Sequence, residues 1–269
     1  MKNVVVVTGA GSGIGQAIAS VFKDDAVLIC GRTKSKIDEA VASLKAEGVD
    51  VYGMACDVSN REDVEALAEK AKSLGAIRCL VNNAAVVGGD ATNLFKINML
   101  GTIYPSEVFL PLMVEGGIII NIASIAGHMY PMDDGIKQLV ENANSPDLID
   151  MTLSYLPGDG LAYSVSKRFV IEYSKACCAK YAKKNIRVMS ISPGTFETPM
   201  LDSARDNEMV QEALRVTPAG RVGMPIEIGH LVDFLASDKA PYLTGSDIII
   251  DGGHFSIFDP AKGAFDSSK

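Results

Sequence analysis

Short apolar runs rich in Val and Ile recur along the chain, at Val4–Val7, Val27–Cys30, Val49–Met54, Cys79–Val81, Ile118–Ile122, Ile186–Ile191 and Ile248–Ile250. Runs of this kind are what strands buried on both faces require, so they predict a parallel sheet covered by helices on each side. Between them lie stretches with amphipathic, helix-like patterning: Ile14–Phe22, Lys36–Lys45, Arg61–Lys72, Asn93–Met113, Ala162–Lys184 and Pro225–Leu235. Strand and helix alternate from end to end. The predicted class is therefore α/β, with a doubly wound, mostly parallel sheet. No repeat, low-complexity tract or linker interrupts it, so one domain is expected across residues 1–269.

One segment, about 128–160, breaks the rhythm. It collects acids (Asp133, Asp134, Glu141, Asp147, Asp150, Asp159), and Pro146, Pro157 and Gly158 punctuate it, with a short helix expected over Ile136–Asn142. A stretch this long without regular patterning inside a compact domain is usually functional or disordered.

Composition narrows the function classes. With 48% hydrophobic residues in 269, a full core is available; 25 Lys+Arg against 33 Asp+Glu leave a net charge of −8. That balance argues against nucleic acid, whose binding needs a basic surface to displace counterions, and against a polybasic membrane patch. The five cysteines are odd in number and form no Cys-x-x-Cys, which reads as buried thiols in a reducing compartment. Three histidines (His128, His230, His254) without paired spacing give no reason to expect a metal. The first residues lack a signal-peptide pattern and no run approaches a membrane span, so a cytoplasmic protein is expected.

Directly after the first strand comes Thr8-Gly9-Ala10-Gly11-Ser12-Gly13-Ile14-Gly15, opening into a helix. Glycines there let the backbone turn sharply and approach a pyrophosphate at a helix N-terminus, the signature of dinucleotide binding. No Gly-Lys-Ser/Thr follows, which excludes a P-loop. The second strand ends in Cys30-Gly31-Arg32-Thr33-Lys34, with no carboxylate before Asp38 to take a ribose 2′-hydroxyl. Arg32, helped by Thr33 and Lys34, can instead hold a 2′-phosphate, which favours NADP(H). Ser12 supplies no second base, so NAD(H) stays open, and a solvated basic loop is the plain alternative.

In Tyr163-Ser164-Val165-Ser166-Lys167, tyrosine and lysine share one helix face. A lysine ammonium beside a phenol favours the phenolate, so Tyr163 can exchange a proton with an alcohol or ketone while a cofactor moves hydride. Taken alone, such a pair is usually an exposed helical one. Here it follows, in order, the glycine motif, Asn82-Asn83-Ala84-Ala85 and Ile122-Ala123-Ser124, and precedes Pro193-Gly194. This set resembles the short-chain dehydrogenase/reductase family, with its Rossmann fold, over nearly the whole chain.

The resemblance implies roles residue by residue. Ser124 would hold the substrate oxygen, Tyr163 would be the acid/base, and Lys167 would also bond the nicotinamide ribose. Asn98 would support a proton-relay water. Asp57 and Val58 would contact adenine, while Asn82, Asn83 and Ala84 would line the nucleotide with Gly9, Ser12, Gly13, Ile14 and Gly15. Thr195 and Thr198 would lie against the cofactor, Thr198 at its carboxamide. Ile250-Asp251-Gly252-Gly253 matches a strand signature often at a subunit interface. A homo-oligomer is implied, dimer or tetramer, in which the helices bearing Asn98 and Tyr163 commonly pair.

Two departures stand out. Ala85 replaces a usual glycine, and 39 positions separate Ser124 from Tyr163, far more than in most of the family. The 128–160 segment is thus an insertion, and sixteen residues extend beyond Gly253. With the Pro193–Leu201 motif, this is similar to the hydroxysteroid dehydrogenase/carbonyl reductase branch. Met129, Tyr130, Met132, Leu139, Met151, Leu153, Tyr155 and Leu156, with Phe255, Ile257 and Phe258 of the tail, read as an apolar lid over a hydroxysteroid or bile-acid-like substrate; the alternative is that they pack on the protein itself. The expected activity is NADP(H)-dependent interconversion of an apolar secondary alcohol and ketone. A 3-oxoacyl carrier-protein reductase, another small-carbonyl or sugar reductase, and a nucleotide-sensing regulator without chemistry remain as alternatives.

Overall fold

Along β1 (Asn3–Thr8), Val4 and Val6 enter one hydrophobic core while Val5 and Val7 enter another. The same division runs through β2 (Ala26–Gly31), where Leu28 and Cys30 join the first core and Val27 and Ile29 the second. Because side chains alternate across a strand, burial on both faces leaves no polar position to interrupt the apolar run. The computed structural model describes residues 2–202, 206, 210–211, 215–259 and 264–265, without the side chains of 159, 200, 258, 259, 264 and 265.

Seven strands pair in the order β3-β2-β1-β4-β5-β6-β7, all parallel. The others are β3 (Asp50–Ala55), β4 (Ala76–Asn82), β5 (Met113–Ile122), β6 (Arg187–Pro193) and β7 (Asp247–Ile250). The α/β class and the doubly wound sheet are as the patterning predicts. On one face lie α1 (Gly13–Val21), α2 (Lys34–Ala46) and the helix Pro225–Ala236. Gly229 lets that helix approach α1, since a Cβ there would stand 2.8 Å from the carbonyl of Ala17. On the other face lie α3 (Arg61–Leu74), α4 (Ala91–Phe95), α5 (Gly101–Phe109) and α9 (Ala162–Ala182). α3 begins where the Asn60 side chain accepts from the amides of Glu62 (2.9 Å) and Asp63 (3.2 Å), a cap worth about 1 kcal/mol.

The stretch predicted as one helix over Asn93–Met113 differs in two ways. It contains a π-helical turn, Lys96–Leu100, between α4 and α5, and it stops at Phe109, so that Met113 begins β5.

The insertion is ordered helix. After α6 (Ile125–His128) come α7 (Asp134–Glu141) and an unforeseen α8 (Leu148–Tyr155). Asp133 caps α7 at the Ile136 amide (2.9 Å) and also accepts from the Tyr155 hydroxyl, tying α7 to the end of α8. Ile136, Leu139, Leu148 and Ile149 join the core that contains Leu94, Phe95 and Phe169, and Thr152 of α8 reaches Met99. The segment packs with α7 on α9 and α8 on α4.

Candidate active site

The loops leaving β1, β4, β5 and β6 converge where strand order reverses, between β1 and β4, and surround a cavity of about 730 Å³. Open parallel sheets place ligands at such a point because loops diverge there and leave a crevice. At its floor, Gly9 and Gly13 hold left-handed φ of +65° and +58°. A Cβ at Gly9 would stand 2.6 Å from Ala84 Cα, and one at Gly15 would stand 2.5 Å from Asn83 Nδ2. Only glycine allows this approach of the β1 and β4 loops.

The approach is fastened by hydrogen bonds. Asn83 Nδ2 donates to the carbonyls of Thr8 (3.0 Å) and Gly9 (3.1 Å), and the Thr8 hydroxyl accepts from the amides of Asn83 (3.0 Å) and Ala84 (3.1 Å). Thr8 is a positioning residue that sequence reading passed over, although it begins the glycine motif. Ser12, Gly13 and Ile14 bring the N-terminus of α1 to the cavity wall. A glycine-shaped floor beneath a helix N-terminus fits a dinucleotide pyrophosphate.

Further along, Arg32, Asp57 and Val58 line the wall, with Arg32 exposed at the rim. The Asp57 carboxylate accepts from the amide (2.9 Å) and hydroxyl (2.7 Å) of Ser59, which fixes its orientation. Thr33, expected beside Arg32, precedes α2 and is not on the cavity wall. Gly15 shapes the floor without lining it.

Asn82 requires a correction, because its side chain turns into the interior and leaves the cavity wall to Asn83 and Ala84. Its Nδ2 donates to Asn121 Oδ1 (2.8 Å), Ser106 Oγ (2.9 Å) and the Thr102 carbonyl (3.4 Å), joining β4 to β5 and α5. A side chain in the last strand residue points to one face of the sheet, and here that face is covered.

At the other end stand Ser124, Tyr163 and Lys167, all on the wall. Ser124 follows β5 by two residues and caps α6, accepting from the Ala126 amide at 3.1 Å. Tyr163 and Lys167 lie one turn apart on α9, with the ammonium 5.7 Å from the phenol ring centroid. Burial pushes the Tyr163 hydroxyl above its ordinary pKa, against which the Ser124 hydroxyl pulls it down. Burial lowers the Lys167 ammonium to about 8, while its Nζ donates to the Ile122 carbonyl at 2.9 Å.

Asn98 is close but not on the wall. It sits in the π-helical turn, accepting from the Val86 amide (2.9 Å) and donating to the Val86 carbonyl (3.0 Å) and Ser166 Oγ (3.0 Å). Ser166 in turn donates to the Tyr163 carbonyl at 2.7 Å, so Asn98 links the β4 loop to the start of α9. Its contacts are those of a positioning residue.

Thr195 and Thr198 reach the wall, Thr198 lying against Gly13. The cavity lining also includes the apolar residues Ile125, Met129, Phe196, Leu201 and Val210, and His254 of the tail. The lid reading therefore fails for most of the insertion. Only Met129 of the eight residues named lines the cavity; Tyr130 and Leu139 are buried in the core, Met151, Leu153, Tyr155 and Leu156 pack on it, and Met132 is exposed. In the tail, Ile257 is buried, the Phe255 ring meets the His128 ring at a tilt of 51° and the Phe258 side chain lies outside the described residues. Phe196, Leu201 and Val210 were missed because nothing in their local pattern distinguishes them from core residues.

Comparison with known proteins agrees with this architecture. The short chain dehydrogenase family profile matches residues 3–134, and one described as enoyl-(acyl carrier protein) reductase matches residues 149–254, leaving the middle of the insertion, residues 135–148, between them. The chain is 34% identical to an uncharacterized oxidoreductase, YxbG, of Bacillus subtilis (strain 168), over 97% of this chain and 94% of that one. It is 31% identical to the 3-oxoacyl-[acyl-carrier-protein] reductase FabG of Thermotoga maritima, over 93% and 96%. A crystallised variant of actinorhodin polyketide ketoreductase with NADPH superposes with a TM-score of 0.77 at 26% identity, over 94% and 97%. Among the described residues no helix is long and apolar enough to cross a membrane. The family of this chain follows from sheet, site and relatives together: it belongs to the short-chain dehydrogenase/reductases.

Proposed function

We propose that the protein interconverts a secondary alcohol and a ketone on an apolar, steroid- or bile-acid-like skeleton, using NADP(H). The observation that carries the chemistry is the convergence of Ser124, Tyr163 and Lys167 on one cavity with the glycine floor. When bound, the dinucleotide supplies or accepts the hydride at the carbinol carbon.

In this reading Ser124 Oγ and the Tyr163 hydroxyl hold the substrate oxygen between them. Tyr163 gives its proton to the ketone oxygen in reduction and removes it from the alcohol in oxidation. The Lys167 ammonium stabilises the phenolate that results, by its charge close beneath the ring. Asn98, through Ser166, keeps the first turn of α9 in register with the loop after β4. Gly9, Ser12, Gly13, Ile14, Asn83, Ala84, Asp57, Val58, Thr195 and Thr198 would hold the dinucleotide, Gly15 allowing the close loop approach. Arg32 at the rim supports the 2′-phosphate preference, and the apolar residues Ile125, Met129, Phe196 and Leu201 in the cavity lining support an apolar skeleton.

The likeness to a 3-oxoacyl-[acyl-carrier-protein] reductase favours a second reading, in which the ketone is an acyl thioester. Initial rates of NADPH and NADH oxidation with cyclic and steroid ketones and with an acetoacetyl thioester separate the two. Turnover of the ring ketones with NADPH is expected. Turnover of the thioester alone replaces the substrate class and leaves the chemistry standing.

A further inference from the structure

α6 is a single turn, Ile125–His128, with the Ser124 side chain as its cap. A helix this short closes too few hydrogen bonds to hold its own shape, so its fastenings to the rest of the chain set where it points. One fastening is Gly127, where a Cβ would stand 2.7 Å from the carbonyl carbon of Lys167 and 2.8 Å from the amide nitrogen of Arg168. That contact presses α6 onto the turn of α9 that carries Lys167. A residue without a side chain fixes distance there but not rotation.

The next residue supplies the second fastening. His128 Nε2 stands 2.8 Å from Asp247 Oδ2, and the pair is largely buried, with side-chain exposures of 16% and 6%. Asp247 lies in β7, which joins the sheet through β6. Ser190 (2.5 Å) and Ser192 (3.0 Å) of β6 both donate to the other carboxylate oxygen, Oδ1, which leaves Oδ2 to α6. Burial pushes this carboxyl up, but the three donors hold it below its ordinary value, so at neutral pH it is ionised and only accepts. Nε2 therefore carries the proton, and the bond is of the stronger, charge-assisted kind. The Phe255 ring of the tail meets the same imidazole at 5.3 Å.

We propose that His128 is a positioning residue for Ser124: its bond to Asp247 ties the far end of α6 to β7 and so fixes the orientation of the serine that begins the helix. The role rests on the proposed function of Ser124 and holds for a ring ketone or an acyl thioester alike. Ser124 Oγ has two tasks, accepting from the Ala126 amide of α6 and holding the substrate oxygen. If α6 turns, the serine turns with it. The dinucleotide still binds, but the substrate oxygen is misplaced for proton and hydride transfer, where small errors of placement are most costly.

The test measures kcat and KM with NADPH and a decalone or, where that alone is turned over, an acetoacetyl thioester. His128→Ala should lower kcat about tenfold, while KM for the carbonyl and the calorimetric Kd for NADPH stay within about twofold. His128→Gln, whose Nε2–H can reach the same carboxylate oxygen, should recover most of kcat. In a Ser124→Ala background, His128→Ala should lower kcat no further, because it acts through that hydroxyl. An unchanged kcat in His128→Ala, no recovery in His128→Gln, or an equal loss that persists in Ser124→Ala overturns the inference and leaves the proposed function standing. If neither carbonyl is turned over, or Ser124→Ala keeps full kcat, the proposed function fails first and the inference falls with it.

Discussion

Lys167 Nζ donates to the carbonyl of Ile122, 2.9 Å away, so the ammonium is fixed to the last residue of β5. Ser124 lies two residues beyond that carbonyl. One hydrogen bond therefore sets the height of α9 against the strand that carries the serine, and with it the spacing of Tyr163 from Ser124.

Burial of that ammonium has a thermodynamic consequence. Its pKa falls to about 8, below the ordinary value near 10.4 of the unfolded chain. The folded state binds fewer protons between these values, so the penalty is complete below about pH 8 and disappears as pH rises past about 10.4. Lys167→Met should raise the melting temperature of the cofactor-free protein at pH 7, by a free energy on the order of 2–3 kcal/mol, while abolishing turnover. The gain should shrink toward zero by about pH 10.5. A stability gain independent of pH, or a loss at pH 7, contradicts this account.

Tyr163→Phe removes the proton carrier and little else. A loss in kcat of about a hundredfold or more, roughly 3 kcal/mol in the barrier, is expected, with dinucleotide affinity nearly unchanged by calorimetric titration. Retention of more than about a tenth of kcat would assign the proton to another group.

Arg32→Ala should weaken NADP far more than NAD. A charge-assisted hydrogen bond to phosphate contributes about 1.5–3 kcal/mol, or roughly ten- to more than a hundredfold in Kd. Equal weakening of both dinucleotides would move the selectivity elsewhere on the rim.

Asp247 gathers hydrogen bonds from His128, Ser190 and Ser192. Burial pushes its carboxyl up, but these donors outweigh burial and hold it below the ordinary value. Its stabilising contribution is therefore complete above about pH 4 and is lost as pH falls below that. In urea titrations, Asp247→Asn should lower stability at neutral pH and flatten its decline in acid. A parallel decline in both proteins would contradict the assignment.

The insertion predicts a stability effect in place of a substrate effect. Ile136 and Leu148 are fully buried. Replacing either with Ala should cost about 2–5 kcal/mol, measured by denaturant titration, while KM for ketones stays nearly the same. A selective rise in KM for large ketones at unchanged stability would revive the lid.

Much of this was legible from residue order, and for definite reasons. Strands buried on both faces write themselves as runs of Val and Ile, and the glycine turn and the Tyr163–Lys167 spacing are local. α8 was missed because its sequence, with Ile149, Thr152 and Ser154, has no strong helical preference and forms through packing on α4 and the π-helical turn. The destination of the insertion's apolar residues was misjudged because apolar character says that a residue is covered, not by what. Asn82 and Asn83 are adjacent and chemically identical, and only strand geometry sends one inward. His128 is a lone histidine until the fold brings Asp247 to it.

The π-helical turn that holds Asn98 has a consequence for chain phasing. Its closing bond runs from the Gly101 amide to the carbonyl of Lys96, five residues back. One residue there is surplus to a regular helix, and it sets the rotation of α5 about its axis. Removing it would turn α5 by about 100°, carrying Thr102 and Ser106 together off Asn82 while the Val86 side kept its partner. The two ends of one helix meet separate loops and strands, and a single extra residue reconciles their angular demands.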